Sequence, residues 1–338
     1  MHVPRPILYY PKGTAGADAI FSRFRKLEVR PYSKENLEEI AFFGPEILVA
    51  NTRLEVNSET FRRFPSVKIF ATVSSGNDHV NFSDLKNEGR VFLNSPGCNA
   101  GSVAEYCWAA VSYFLPIEEI GKRSVGIVGY GNTGKAFASI LKSEGIEYAY
   151  HDPYVKENSV SLSEIYSRGI VSFHVPLTVD GPYPTKGMFD AEDVRKLAPK
   201  TLVLNTSRGE IWGRGALEES LQREDLLKVI DVFYPEPPRG ELLQRLVSSK
   251  NSVFTPHIAG YSQKGRLTGT YRLAEKLCIL YKDDPLPPME EFLISDSEWK
   301  TKTFLEKEDT LLREAWKNGD WEYFERRRNH YPVRMDGV

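Results

Sequence analysis

Three polar side chains, Arg208, Glu236 and His257, stand just after short apolar runs in the second half of the sequence. Such runs predict buried parallel strands, and an open parallel sheet binds its ligands outside the carboxyl ends of its strands. An arginine offers a planar pair of donors to a carboxylate, and a histidine oriented by a glutamate can take up and return a proton. We therefore expect these residues to act together on a hydroxy acid. The alternatives are a surface ion pair for Arg208, a turn residue for Glu236 and a buried structural histidine for His257. Two further histidines, His79 and His174, are interpreted as structural.

A glycine-rich turn supplies the second chemical signal. The stretch "GIVGYGNTG" places Gly129, Gly131 and Gly134 in a GxGxxG pattern between an apolar run and an amphipathic segment. The first glycine permits a tight turn, the second lets the backbone approach a pyrophosphate, and the third lets helix and strand pack closely. Asn132 and Thr133 open the predicted helix, so we expect their N–H groups to face the phosphates.

Asp152 ends the next predicted strand, 23 positions after Gly129. A carboxylate at this place accepts hydrogen bonds from both hydroxyls of an adenosine ribose and repels a 2′-phosphate. NAD is therefore the expected cofactor, rather than NADP. The alternative is that the glycines only make a turn and that Asp152 only caps a loop before Pro153.

The elements that must position these residues follow from hydrophobic periodicity. Five short apolar runs before residue 95 alternate with segments of helical spacing, such as "KENLEEIAF", and six more runs follow between residues 122 and 257. Strands that alternate with helices predict parallel sheets covered on both faces. The expected fold class is α/β, with two Rossmann/flavodoxin-like doubly wound parallel-sheet domains, an inter-domain cleft and a short C-terminal extension.

Chain length indicates more than one domain. Residues 1–98, completed by 266–288, are predicted to form a substrate-binding (catalytic) domain, and residues 99–265 an NAD-binding Rossmann domain. Residues 289–338 form a charged and aromatic extension, a candidate dimerisation element. Its arginine cluster, residues 326–328, is interpreted as a solvated helix face or a dimer contact, with a phosphate site as the alternative.

Composition argues against several classes of partner. The formal net charge is -2, with 41% hydrophobic and 27% charged residues, so neither nucleic acid nor a membrane is an expected partner. The sequence contains no apolar run near the length of about 20 residues that spans a bilayer, and the expected location is the cytoplasm. Cys98, Cys107 and Cys278 match no zinc spacing, so we expect reduced, buried thiols and no metal site.

The sequence resembles the D-2-hydroxyacid dehydrogenase family over roughly residues 5–275. The resemblance rests on "GIVGYGNTG", "FHVPLT", "LNTSRGE", "DVFYPEP" and "TPHIAGYS". It implies that Arg208 binds the substrate carboxylate and is catalytic, that Glu236 tunes the histidine, and that His257 is the acid/base. It also implies cofactor contacts at Val175, Thr206, Ser207, Asp231 and Gly260, with Asp231 at the nicotinamide carboxamide.

Within this family, the segments "SSGNDHVN", "NSPGCNAGSVAEY", "PLTVDGPYPT" and "HIAGYSQKGRLTGT" are similar to members that act on a phosphorylated sugar acid. That likeness implies a homodimer and substrate contacts at Thr52, Ser74 and Tyr261, in addition to Arg208. The expected reaction is the NAD-dependent oxidation of a D-2-hydroxy acid, with a phosphorylated acid favoured, to the 2-oxo acid. The alternatives are a dehydrogenase of another 2-hydroxy or sugar acid and a dinucleotide-sensing binding protein of the same fold.

Overall fold

The computed structural model describes residues 4–51, 53–213, 215–293 and 301–331. Within these ranges the chain divides into two compact units. The first unit comprises residues 4–99 and 263–293, and the second comprises residues 100–262 together with 301–331. Each unit contains its own parallel sheet, which confirms the α/β fold class expected from the sequence. Across the described residues, no helix is both long enough and apolar enough to cross a membrane.

The strands and helices are numbered in chain order. The strands are β1 (Ile7–Pro11), β2 (Glu28–Tyr32), β3 (Ile47–Val49), β4 (Ile69–Ala71), β5 (Val91–Leu93), β6 (Val125–Val128), β7 (Tyr148–His151), β8 (Ile170–Phe173), β9 (Leu202–Asn205), β10 (Leu227–Ile230) and β11 (Ser252–Phe254). The helices are α1 (Ala17–Phe21), α2 (Ser58–Arg63), α3 (Phe82–Asn87), α4 (Ala100–Phe114), α5 (Ile117–Ile120), α6 (Asn132–Ser143), α7 (Leu162–Tyr166), α8 (Ala191–Lys196), α9 (Ala216–Gln222), α10 (Glu241–Ser248), α11 (Gln263–Tyr281), α12 (Thr301–Lys317) and α13 (Tyr323–Asn329). Short 3₁₀ helices cover Glu39–Phe43, Gly209–Ile211 and Met289–Phe292.

The first unit has five parallel strands in the order β2-β1-β3-β4-β5. Strands β3 and β4 are buried throughout, as expected for a sheet with both faces covered. The helix predicted from "KENLEEIAF" is shorter than expected, because only the 3₁₀ helix Glu39–Phe43 forms there. Ile40 is its one buried residue, and Gly44 ends it in a left-handed conformation. A segment with so little apolar surface to bury gains little from being extended into a full helix.

The second unit has six parallel strands in the order β11-β10-β9-β8-β6-β7. The chain moves outward from β6 to β7 and then crosses back to β8, so the strand order reverses between β6 and β8. Helix α6 packs beside this point through Gly134, Phe137, Ala138 and Leu141, whose spacing places them on one face. A reversal of this kind leaves a crevice outside the carboxyl ends of the two strands, where dinucleotides bind in such folds.

The strands of the second unit end earlier than the apolar runs that predict them. Strand β9 ends at Asn205 and β10 at Ile230, and the chain then turns away from the sheet. The polar side chains that follow, Ser207 and Asp231, are buried and hydrogen-bonded to Asn205 and Thr255 respectively. These turns carry Arg208, Glu236 and His257 at one edge of a single sheet.

The C-terminal helices α12 and α13 belong to the second unit. Phe304, Leu305, Leu312, Trp316 and Phe324 are buried in its two apolar clusters. Hydrogen bonds also hold α12 to the second unit. The Arg313 guanidinium donates to four carbonyl oxygens, those of Leu246, Val247, Ser249 and Ser252. Arg313 also pairs with Asp309 at 2.9 Å, and Asp309 accepts the N–H of Phe254 at 2.8 Å.

We expect Arg313→Met to lower the free energy of unfolding by about 3 kcal/mol, because Asp309 and several carbonyl oxygens lose a buried partner. Lys250→Met is the matched control, since the Lys250–Glu224 pair is exposed and should contribute less than about 1 kcal/mol. Urea denaturation followed by tryptophan fluorescence measures both changes. Equal losses in the two variants would contradict the anchoring role of Arg313.

Candidate active site

The glycine turn after β6 leaves room for a phosphate. Gly129 has a φ of +92°, and a Cβ atom on it would lie 2.7 Å from the carbonyl oxygen of His174. A Cβ atom on Gly134 would lie 2.1 Å from the carbonyl oxygen of Gly129, whereas none of the surrounding protein lies within 4 Å of one on Gly131. Two of the glycines therefore serve close packing. Gly131 instead leaves open space at the N-terminus of α6, where N–H groups favour an anion.

Asp152 lies against this turn. Its carboxylate accepts the N–H of Tyr130 at 2.8 Å and the N–H of Tyr154 at 2.9 Å. An ionised carboxylate has about four acceptor positions, so these two bonds leave capacity for the hydroxyls of a ribose. The open helix N-terminus and the adjacent carboxylate fit an NAD molecule that is bound by its pyrophosphate and adenosine ribose.

The turn that carries Arg208 is shaped by Asn205. The Asn205 Oδ1 atom accepts the N–H of Ser207 at 3.2 Å and its hydroxyl at 3.0 Å, and Nδ2 donates to the Arg208 carbonyl oxygen at 3.1 Å. A Cβ atom at Gly209 would lie 2.0 Å from the carbonyl oxygen of Phe233, so only glycine fits there. The Arg208 side chain is half-buried, and its guanidinium donates to the Ser207 carbonyl oxygen at 2.8 Å.

His257 and Glu236 form a hydrogen-bonded pair. The His257 Nδ1 atom lies 2.7 Å from Glu236 Oε1, and the two side chains are 26% and 19% exposed. Burial raises the pKa of Glu236, but the hydrogen bond and charge of His257, the charge of Arg328 and the Phe233 N–H together bring it below its usual range. An ionised carboxylate only accepts hydrogen bonds, so Nδ1 carries the proton. Nε2 is then the ring nitrogen that can exchange a proton with a substrate.

Asp231 anchors the loop on which His257 lies. This side chain is fully buried, and it accepts hydrogen bonds from the Thr255 hydroxyl at 2.6 Å, the Ile258 N–H at 2.8 Å and the Ala259 N–H at 3.0 Å. Burial raises the pKa of Asp231, against the opposing effects of the His257 charge and these hydrogen bonds. His257 itself has a φ of 56°, an uncommon conformation for a residue with a side chain. Asp231 therefore stabilises the backbone that presents the histidine.

Arg328, which is not among the predicted site residues, also contacts the His257–Glu236 pair. The Arg328 guanidinium on α13 donates to Glu236 Oε1 at 3.0 Å and hydrogen-bonds to Tyr261. Arg326 pairs with Asp320 on the exposed surface, so the interpretation of a solvated helix face fits Arg326 but not Arg328. Sequence reasoning missed this contact because Arg328 and Glu236 are 92 positions apart. The only available signal was the arginine cluster itself.

The remaining residues predicted to contact the cofactor lie in the turns of the second sheet or at the start of α6. Thr206 and Ser207 are 9% and 7% exposed, and Val175 and Gly260 are half-buried in the turns after β8 and β11. At the start of α6, Asn132 is exposed and Thr133 is half-buried. Their contacts with a cofactor, like the contact of Asp231 with nicotinamide, stay predictions.

The predicted substrate contacts are divided between the units. Tyr261 is half-buried in the second unit and is bonded to Arg328. Ser74 is in the first unit, where its hydroxyl lies 3.0 Å from the Thr72 hydroxyl. Thr52 lies outside the described residues. Arg328 therefore links Tyr261 to the His257–Glu236 pair, whereas the substrate contacts of Tyr261, Ser74 and Thr52 all stay predictions.

The other histidines and the cysteines have structural surroundings. Burial lowers the pKa of His174 to about 3, and its Nε2 atom lies 2.9 Å from the Ser172 hydroxyl. Burial also lowers the pKa of His79, against the opposing charges of Glu55 and Asp78. The three cysteines are buried. Over the described ranges, no group of three or more histidine, cysteine, aspartate or glutamate side chains is arranged to hold a metal ion.

The fold and the glycine turn of the second unit are those of a dinucleotide-binding domain, and known proteins match it. Residues 101–259 match the family model of the D-isomer specific 2-hydroxyacid dehydrogenase, NAD binding domain. Erythronate-4-phosphate dehydrogenase of Acinetobacter baumannii is 30% identical to this chain, and the match covers 95% of each of the two chains. The chain belongs to the D-isomer specific 2-hydroxyacid dehydrogenase family, and its second unit contains the NAD-binding domain of that family.

A further relative agrees with this assignment, and two solved structures share the fold. Erythronate-4-phosphate dehydrogenase of Shewanella sediminis is 36% identical over 69% of this chain, and the match spans 61% of that relative's length. NAD-bound 3-phosphoglycerate dehydrogenase of Entamoeba histolytica has the same fold, with a TM-score of 0.70 and 22% identity over 83% of this chain and 96% of that one. D-lactate dehydrogenase of Aquifex aeolicus, complexed with NAD and lactic acid, matches with a TM-score of 0.66 and 20% identity over 82% and 95%.

Two glycine substitutions separate cofactor binding from folding. We expect Gly131→Ala to leave stability nearly unchanged but to weaken NADH binding by about tenfold or more, because its methyl group enters the open space at the start of α6. Gly134→Ala should instead lower the free energy of unfolding by about 2 kcal/mol, because its Cβ meets a backbone oxygen. Fluorescence titration with NADH and urea denaturation measure the two effects. Unchanged NADH affinity in Gly131→Ala would contradict the phosphate site.

Proposed function

We propose that this chain is an NAD-dependent oxidoreductase that converts a D-2-hydroxy acid into the 2-oxo acid. The observation that carries the proposal is the His257–Glu236 hydrogen bond of 2.7 Å, made in the same unit as the glycine turn and at the same edge of its sheet. Bound NAD supplies the acceptor for the hydride that leaves C2 of the substrate. The residues of the chain have to orient the acid and remove its hydroxyl proton.

Arg208 binds the substrate carboxylate in the proposed mechanism. Its planar fork of donors matches a carboxylate, and its turn is fixed by Asn205 and by the close approach of Gly209 to Phe233. His257 Nε2 takes the hydroxyl proton as the C2 hydride departs, and it returns a proton when the reaction runs toward the hydroxy acid. Glu236 keeps Nδ1 protonated and stabilises the imidazolium that forms.

The favoured substrate is 4-phospho-D-erythronate, with 2-oxo-3-hydroxy-4-phosphobutanoate as product, a step of pyridoxal phosphate biosynthesis. Support comes from relatives named erythronate-4-phosphate dehydrogenase, which are 30–36% identical to this chain. We assign Thr52, Ser74, Arg208 and Tyr261 as substrate contacts. We further propose that the chain works as a homodimer in the cytoplasm. The two alternatives are a dehydrogenase of another 2-hydroxy or sugar acid and a dinucleotide-sensing binding protein of the same fold, and turnover of different acids distinguishes them.

NADH fluorescence with three acids tests the proposal. Purified protein and NAD should produce NADH with 4-phospho-D-erythronate, and at least about tenfold faster than with D-erythronate or D-lactate at equal concentration, since loss of a charge-assisted contact costs about 1.5–3 kcal/mol. A preference for an unphosphorylated acid would keep the chemistry and discard the favoured substrate. Bound NADH without turnover of any acid would indicate a sensor.

The matched variant is His257→Asn, because asparagine tolerates the left-handed backbone at this position but cannot exchange a proton there. Turnover should fall by about 10²–10⁴-fold, the usual contribution of general acid–base catalysis, while NADH affinity is retained. His330→Asn, at an exposed position, is the control and should keep full activity. A His257→Asn variant that turns over normally would remove His257 from the mechanism.

A further inference from the structure

We propose that Arg328, on the C-terminal helix α13, is a positioning residue that holds the His257–Glu236 pair in its proton-accepting form and so sets the pH range in which the pair is ready to oxidise the hydroxy acid. This inference rests on the proposed function. It assigns to the C-terminal extension a role within the site of its own chain.

Arg328 and His257 bond to the same carboxylate oxygen, Glu236 Oε1. Glu236 Oε1 lies 3.0 Å from a guanidinium nitrogen of Arg328 and 2.7 Å from Nδ1 of His257. The Arg328 side chain is 20% exposed, so its charge is screened by water much less than that of a surface residue. Arg328 also hydrogen-bonds to Tyr261, four positions after His257. One guanidinium thus contacts both the orienting carboxylate and the loop of the histidine.

The helix that carries Arg328 is held firmly. Phe324 on α13 is fully buried, and its ring centroid lies 5.9 Å from that of Phe233, three positions before Glu236. Arg327 pairs with Glu308 of α12, a carboxylate that is 1% exposed. Arg313 fixes α12 in turn to the end of α10 and to β11. Buried Phe324 and the ion pairs of Arg327 and Arg313 therefore hold α13 in place independently of the Arg328–Glu236 ion pair.

The charges around the pair decide the direction of the effect. Arg328 is faced by Glu236, by Tyr261 and by Glu325 at 3.7 Å, and His257 is faced by Glu236 and by the buried Asp231. When Nε2 of His257 is also protonated, the imidazolium and the Glu236 carboxylate together carry no net charge. When the proton leaves, the pair carries one negative charge, and the cationic Arg328 stabilises that state more. Removal of the Arg328 charge should therefore make the pair retain its proton at higher pH.

The charge of Arg328 changes which protonated form of the pair is present at a given pH, and each direction of the reaction begins from a different form. Oxidation begins with a neutral imidazole that accepts the hydroxyl proton, whereas reduction of the 2-oxo acid begins with an imidazolium that donates one. By stabilising the deprotonated pair, Arg328 enlarges the fraction of molecules ready for oxidation near neutral pH.

The test compares Arg328→Gln and Arg328→Lys with Arg326→Gln, an exposed arginine of the same helix. In Arg328→Gln, the acid limb of the pH profile of kcat/KM for oxidation should shift to higher pH by about one unit. The basic limb of the profile for reduction should shift in the same direction by the same amount. Arg328→Lys keeps the charge and should retain most of the original profile, and Arg326→Gln should leave it unchanged. Arg328→Met provides a second neutral variant if Arg328→Gln does not fold.

A second readout is independent of turnover. The ring resonances of His257 in the unliganded full chain, assigned by their loss in His257→Asn, report protonation of the pair by NMR. Their titration should move to higher pH by about one unit in Arg328→Gln and stay in place in Arg326→Gln. This result would support the role of Arg328 even if no tested acid were oxidised, so failure of the proposed function and failure of this inference are distinguishable.

Two results would overturn the inference. Unchanged pH profiles and an unchanged His257 titration in both neutral variants would show that Arg328 does not act on the pair. A KM that rises only for the phosphorylated acid, with no shift in pH dependence, would instead make Arg328 a ligand of the substrate phosphate.

Discussion

The buried carboxylate of Asp231 is the constraint on which the rest of the site depends. It accepts three hydrogen bonds from the loop that follows β11, and that loop holds His257 in a left-handed conformation. A fixed backbone places Nδ1 within hydrogen-bond distance of Glu236, and this contact fixes which ring nitrogen exchanges the proton. The three hydrogen bonds offset the cost of burying Asp231, and they also fix the backbone that presents the histidine.

Parallel-sheet topology explains why one unit contains both the cofactor turn and the acid–base pair. The glycine turn follows β6 at the reversal of strand order, and the turns after β9, β10 and β11 lie along the same edge. The C-terminal helices extend this arrangement, because α12 packs on the unit through Arg313 while α13 brings Arg328 to Glu236. The extension is therefore part of the structure that shapes the site.

The sequence predicted what depends on local pattern. Apolar runs located the eleven strands of the described residues, and the spacing of Gly129, Gly131 and Gly134 located the turn, because burial and backbone geometry leave signals within a few residues. Contacts between residues that are far apart in the sequence left no local pattern of this kind. The contact of Arg328 with Glu236 arises only when α13 packs on the second unit, and the anchoring of the histidine loop by Asp231 requires β10 and β11 to be neighbours.

The most direct test of the central claim is to follow the hydrogen at C2 of the substrate. The protein would be incubated with NAD and 4-phospho-D-erythronate that carries deuterium at C2, and the nucleotide product would be analysed by mass spectrometry and NMR. The proposed mechanism predicts one deuterium at the reduced nicotinamide ring, because hydride leaves C2 directly while His257 takes only the hydroxyl proton. Deuterium released to water without reduction of the nucleotide would contradict hydride transfer and, with it, the proposed activity.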